Sequence, residues 1–396
     1  MRLLLNGQYH RLTLALGALL ALAAPASYAL ETTISARYRG GANGKFENTT
    51  PTAEYCGAWM TSCAGKTVVD VPITYVKKVT LGGPRDRYFI KPPSRKHVDI
   101  FHETTGESFQ IEFEVSAVSQ MVDEGNWLLS PVYSGDLQGG CARRTAVRPG
   151  VGVQFLWTYP DSIAPQPCHS INRNHTASDV VMAAASKMGI SYHLTTPQPY
   201  QMKPGMYRGA LDLMIGPGGD FDFGDDVSQL NGNSLRINFE LDVTHLFLLS
   251  FPPGSDRAVL EPEGGWVSWL HRGRVPQRLY RDLPMHVWST GPLKVYKLCD
   301  YEMGDRCGIR NEKNEGAPVH VLLTLPDGIR YRGGPVQRLN IPTGRASAVQ
   351  FESMMPTINR PGQLHFEIRR DDVVPMFNRP GMTYSGKVTI VFDAEI

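Results

Sequence analysis

The chain of 396 residues carries 40 Lys+Arg against 38 Asp+Glu, so its formal charge is +2. That near balance gives no reason to expect nucleic acid or an anionic membrane as a partner. Its length suits two or more domains, and 39 glycines and 29 prolines with little helical periodicity suit an all-β protein.

Residues 1–29 read as an export leader. Arg2 and Arg11 supply the positive start, and residues 12–24 form an apolar run too short to span a bilayer comfortably. Ser27 and Ala29 occupy the −3 and −1 positions, which places cleavage after Ala29, with Ala26 as the second choice. Losing the two leader arginines brings the remainder to zero net charge. Six cysteines in an exported chain imply three disulfides. The sequence alone does not fix the connectivity; neighbour pairing (Cys56–Cys63, Cys141–Cys168, Cys299–Cys307) is the simplest assignment, each bridge closing one local loop. The longest loop would contribute roughly 3–4 kcal/mol by chain entropy. Cys168, His169 and His175 lack a second close pair with zinc-finger spacing, so neither metal nor cofactor is expected.

In chain order, residues 30–46 alternate weakly through Ile34, Ala36 and Tyr38. Residues 67–76 read as a strand that Pro72 demotes to an edge or a bulge. Residues 108–115 are cleaner, with Phe109, Ile111, Phe113 and Val115 inward and Gln110, Glu112 and Glu114 outward. Another strand covers 151–159. Thr176 to Asp179 resembles a capping box and Gly189 a C′ stop, which predicts a helix between them. Residues 205–215 and 235–243 read as strands around the acidic connection 218–226. Asp220, Asp222, Asp225 and Asp226 lack the glutamate of an EF-hand loop, and a solvated hairpin is expected there.

A second unit is expected from Thr244. Residues 246–251 precede Pro252-Pro253-Gly254, and residues 256–281 are anchored by Leu260, Trp266 and Trp269. Strands follow at 293–298, 319–325, 348–351, 364–368 and 387–392. In the last, Val388, Ile390 and Phe392 share one face while Lys387, Thr389 and Asp393 share the other.

No G-x-S-x-G elbow, H-E-x-x-H or P-loop is found, and paired cysteines leave no free nucleophile. The expectation is no enzymatic activity and no catalytic residue. The alternative is a self-sufficient secreted β-sandwich that binds carbohydrate or hydrolyses its substrate with distant carboxylates.

The closing run from Pro380 to Phe392 resembles the Gly-x-x-Tyr-x-Gly ending of the tip subunits of CS1-type (class α, alternate chaperone–usher) pili, including CblD-like pilus biogenesis initiators. Gly205-Met-Tyr207-Arg-Gly209 repeats part of that phrase, and residues 244–251 followed by 259–262 are similar to the family's adhesin-to-pilin junction. The resemblance implies two immunoglobulin-like β-sandwich domains in tandem, an adhesin at 30–243 and an incomplete pilin domain at 244–396. It implies a hydrophobic groove, with Val388, Ile390 and Phe392 among its walls, filled by a strand from a periplasmic pilus chaperone or from the major pilin. An outer-membrane usher and a host glycan or glycoprotein receptor complete the implied partners, and the fimbrial tip at the cell surface the implied location. A chain that accepts a strand and donates none would start a fibre. Glycan-binding relatives use arginines before the first cysteine pair, whereas residues 50–55 carry none here. The nearest basic cluster, Arg143, Arg144 and Arg148, is the expected receptor site.

Overall fold

A computed structural model describes residues 29–133, 135–378 and 381–394. The expected leader lies outside these residues except for Ala29. In the first half, β1 (Ala29–Arg39), β2 (Thr67–Asp70), β3 (Tyr75–Val79), β4 (Lys96–His102), β5 (Ser108–Asp123) and β6 (Ala142–Val147) are followed by β7 (Val153–Thr158) and β8 (Cys168–Asn172). Three long strands close it: β9 (Val181–Thr195), β10 (Gly205–Met214) and β11 (Ser234–Thr244). The main sheet runs β3-β9-β5-β4-β10-β11-β1, with β7 alongside β5 and β2 alongside β9. It encloses one hydrophobic core with a small three-stranded sheet that includes β8.

The predicted alternation on β5 holds for Ile111, Phe113 and Val115, each 0 % exposed. The strand continues eight residues past the expected end. Buried Gln120 is satisfied there, its Oε1 accepting hydrogen bonds from the Tyr75 and Tyr88 hydroxyls at 3.1 and 2.7 Å.

The helix expected between Thr176 and Gly189 is absent. The capping chemistry is present but closes an isolated turn: the Thr176 N–H and hydroxyl donate to Asp179 Oδ2 at 2.7 and 2.9 Å. Beyond it, Val181, Ala183 and Ala185 are buried with exposed Met182 and Ala184 between them, a period of two. Gly189 has a different task from a helix stop. A Cβ there would lie 2.4 Å from the Tyr55 ring, so it lets β9 pass over that aromatic side chain.

The second half contains β12 (Phe247–Ser250), helix α1 (Val267–Arg272), β13 (Arg278–Ser289), β14 (Leu293–Cys299), β15 (Arg306–Arg310) and β16 (Gly316–Thr324). Then come β17 (Val349–Ser353), β18 (Thr357–Arg369), helix α2 (Arg370–Phe377) and β19 (Val388–Asp393). One sheet runs β12-β13-β18-β16-β15; the other includes β17-β14-β19. A second core lies between them and shares no buried residue with the first. Of the expected anchors, Leu260 packs against this core and Trp269 meets Phe377 of α2 edge-on at 4.4 Å, while Trp266 is exposed. The chain is thus all-β, with two sandwich units in tandem.

Candidate strand-acceptor groove

Two neighbouring strands of one sheet define the site. β14 is flanked by β17 and β19, and its inward residues Leu293 and Val295 are each 1 % exposed. β19 pairs with β14 from Lys294↔Asp393 to Cys299↔Val388 and with no other described strand. Phe392 stands opposite Val295 and Val388 opposite Cys299 in that register, so Val388, Ile390 and Phe392 face the core as β14 does. All three are nevertheless only half-buried. On the side of β19 away from β14, no described strand pairs with its backbone donors and acceptors.

Beside that edge lies an apolar groove of about 710 Å³. Its floor is Leu283 of β13, Leu364 and Phe366 of β18, Val319 of β16 and Ile309 of β15; Val388 and Ile390 form one wall. The opposite wall is the irregular segment from Phe251 to Leu260, turned by Ser255, whose N–H and hydroxyl both donate to the Pro252 carbonyl. Phe392 departs from its expected place. It stacks on Phe247 of β12, with ring centroids 5.8 Å apart, and closes one end of β19 instead of lining the groove.

Three local devices hold the groove open. Cys299, at the end of β14, is bonded to Cys307 of β15, which ties the two sheets together beside Val388. Ser385 and Arg310 exchange both backbone hydrogen bonds at 2.9 Å, so the chain touches the first sheet just before joining the second. Gly386 permits that crossing, because a Cβ would stand 2.7 Å from the Gly308 carbonyl. Deep in the sheet, Lys297 is fully buried, its ammonium donating to the Asp305 and Ile341 carbonyls. Burial pushes its pKa down. The groove therefore has an apolar lining, an unpaired strand edge and a rigid frame. It can take one extended, apolar-alternating segment, which would add a strand to β19.

The remaining site residues fall elsewhere. Arg143 and Arg144 lie on β6, and their side chains are outside the described residues. Arg148 is exposed, its guanidinium 4.3 Å above the Trp127 ring. Cys56–Cys63 and Cys141–Cys168 are disulfides, with Cα atoms 5.8 Å apart in each. The acidic segment is not a solvated hairpin. Phe221 and Phe223 are 0 % exposed, and Asp222 pairs with Arg85 through two contacts of 2.8 and 3.1 Å. Asp225 also reaches Arg85, and Asp220 meets Lys96 at 2.6 Å. The two phenylalanines pull the segment onto the core, and the lysines and arginine neutralise what comes with them. Among the described residues no cluster of three or more metal-ligating side chains forms.

The groove's floor was largely invisible in the sequence. Leu279, Leu283, Met285 and Val287 of β13 share one phase, but Arg281 breaks it between the first two and Pro284 reads as a strand breaker.

No family model matches this chain, and no curated protein does. Solved structures align over most of it. A chain of a chaperone–tip adhesin complex of CFA/I fimbriae biogenesis is 8% identical, over 92% of this chain and 96% of that one, with a TM-score of 0.27. A mutant of the CfaE adhesin of CFA/I enterotoxigenic E. coli is 10% identical over 92% of each chain, with a TM-score of 0.26. A chain of the CsuC–CsuE chaperone–tip adhesion subunit pre-assembly complex, from archaic chaperone–usher Csu pili of Acinetobacter baumannii, is 10% identical over 93% of this chain and 99% of that one, at 0.22.

Proposed function

We propose that this protein is the tip subunit of a chaperone–usher pilus, a non-enzymatic adhesin that starts the fibre. In this reading the chain divides at Thr244 into an adhesin domain (30–243) and a pilin-type domain (244–396). The second domain is completed by a strand borrowed first from a periplasmic chaperone and then, at the outer-membrane usher, from the major pilin. Residues 1–29 are the leader that exports it, the fibre tip is its destination, and a host glycan or glycoprotein is its receptor. The observation that supports this best is the groove beside β19, where Val388 and Ile390 stand half-buried along an unpaired edge. An inserted apolar strand would return roughly half of the 1.5–3 kcal/mol that full burial of each such side chain gives, and would pair the edge. Arg143, Arg144 and Arg148 stay as a first candidate for receptor contact.

Expressing the full chain alone and with a pilus chaperone tests the reading. Alone it should aggregate or be degraded; with the chaperone it should purify as a one-to-one complex. Fusing a pilin donor peptide after Ile396 should raise the melting temperature of the second unit. A lone chain that is monomeric, and whose melting the donor does not alter, overturns the proposal.

A further inference from the structure

The outward face of the first unit's sheet carries a second concavity, of about 750 Å³, which neither the groove nor the arginine cluster explains. It lies across β4, β10, β11 and β1, where register aligns Phe101 with Arg208, Arg208 with Glu240, and Ala210 with Asn238, itself opposite Thr33. The floor is low because Ala210 presents only a methyl group on this face. Gly209 is required there, since a Cβ would sit 2.5 Å from the Asp99 carbonyl.

Around that floor the chemistry is mixed in a particular way. Phe101 is 52 % exposed, and the side chains nearest it across this depression, Asp99, Arg208 and Glu240, are polar. Asn238 and Thr33 make no side-chain hydrogen bond among the described residues, leaving an amide and a hydroxyl free to donate and accept. Arg208 is committed to carboxylates on either side, with its Nε 3.0 Å from Glu103 Oε1 and 3.5 Å from Glu240 Oε1. Asp99 and His97 complete the rim, Asp99 accepting from Gln110 and His97 standing 3.5 Å from Glu112.

We propose that this depression binds a neutral saccharide. The volume falls within the roughly 300–1,000 Å³ of small-ligand clefts. An exposed aromatic ring offers an apolar face to the C–H side of a pyranose, while the amide, hydroxyl and carboxylates beside it match the sugar's alternating donors and acceptors. Charge selects against acidic sugars. Arg208 is the one rim cation always charged, and it is already shared between two carboxylates, with Asp99 adding a further negative charge. An anionic glycan would meet net repulsion. The inference rests on the adhesin reading and specifies its receptor class and site.

The test uses the full chain with a donor peptide fused after Ile396, applied to immobilised neutral, sialylated and sulfated oligosaccharides. Binding confined to neutral glycans is expected, weakened about tenfold or more by Phe101→Ala and by Asn238→Ala and restored by Phe101→Tyr. Phe101 is exposed, so melting temperatures should stay unchanged, which separates lost recognition from lost folding. Unaltered glycan binding in both alanine variants, or binding only to acidic glycans, overturns the proposal and leaves the adhesin reading standing. A complemented chain that binds no glycan in the set also overturns it, and if that chain fails to attach to host cells the adhesin reading falls as well.

Discussion

β5 and β19 carry the same alternation of large apolar and polar residues and meet different fates. Phe113 on β5 has paired strands on both sides and is 0 % exposed, packed against the rings of Tyr192 and Phe239 at 5.9 and 5.8 Å. Ile390 on β19 has one neighbour and remains half-buried. A side-chain pattern says which face is apolar; only the strand inventory around it says whether that face is covered. In the first unit Phe113 sits in the middle of its sheet, whereas in the second β19 ends the path of described strands.

The contrast can be broken by substitution and followed by denaturant unfolding of the donor-fused chain, in which two separate cores should give two transitions. Phe113→Ala should cost the first unit about 3–5 kcal/mol, the price of a large cavity in a closed core, and leave the second transition in place. Next in size, Cys299→Ser combined with Cys307→Ser should cost the second unit about 2–3 kcal/mol through loss of an eight-residue cross-link; no change would mean that the bridge does not frame the groove.

A third effect belongs to the first unit alone. Burial pushes the Glu124 carboxyl from its ordinary 4.5 up to about 7. Between those values the folded chain holds a proton that the unfolded chain has released, so stability should fall as pH rises from about 4.5 to 7. Glu124→Gln should flatten this part of the pH profile; an unaltered slope would assign it to another group. Smallest of all, Ile390→Ala in the chain without a donor should cost less than about 1 kcal/mol, because the side chain is incompletely covered. With the donor fused, the cost should rise to about 2–4 kcal/mol. Equal costs in the two forms would mean that Ile390 does not meet the inserted strand.

Period-two runs made the strand content legible wherever one face met the core and the other met water, as at Ile111 to Val115 and Leu235 to Val243. The reading failed where short-range chemistry pointed elsewhere. Thr176 and Asp179 do form their capping contacts, yet β9 prevails beyond them because long-range pairing with β5 and β3 outweighs a local turn. β13 was hidden by Pro284, whose ring is exposed within the paired strand. Of the groove, alternation put Val388 and Ile390 on one apolar face, and only the resemblance to pilus tip subunits made that face a wall. Leu283, Val319 and Phe366 could not, since they converge from strands distant in sequence. The placement of the Phe251–Leu260 segment along the opposite wall has no signature beyond its prolines and glycine.

The pairing of β1 with β11 is parallel and in register over eleven residues, from Ala29↔Ser234 to Arg39↔Thr244, while β10 flanks β11 on its other side. Tension applied at Thr244, where β11 leaves the first unit, would be directed along the strand axis. The hydrogen bonds on both flanks would then bear the load together, in shear, instead of opening one after another like a zipper.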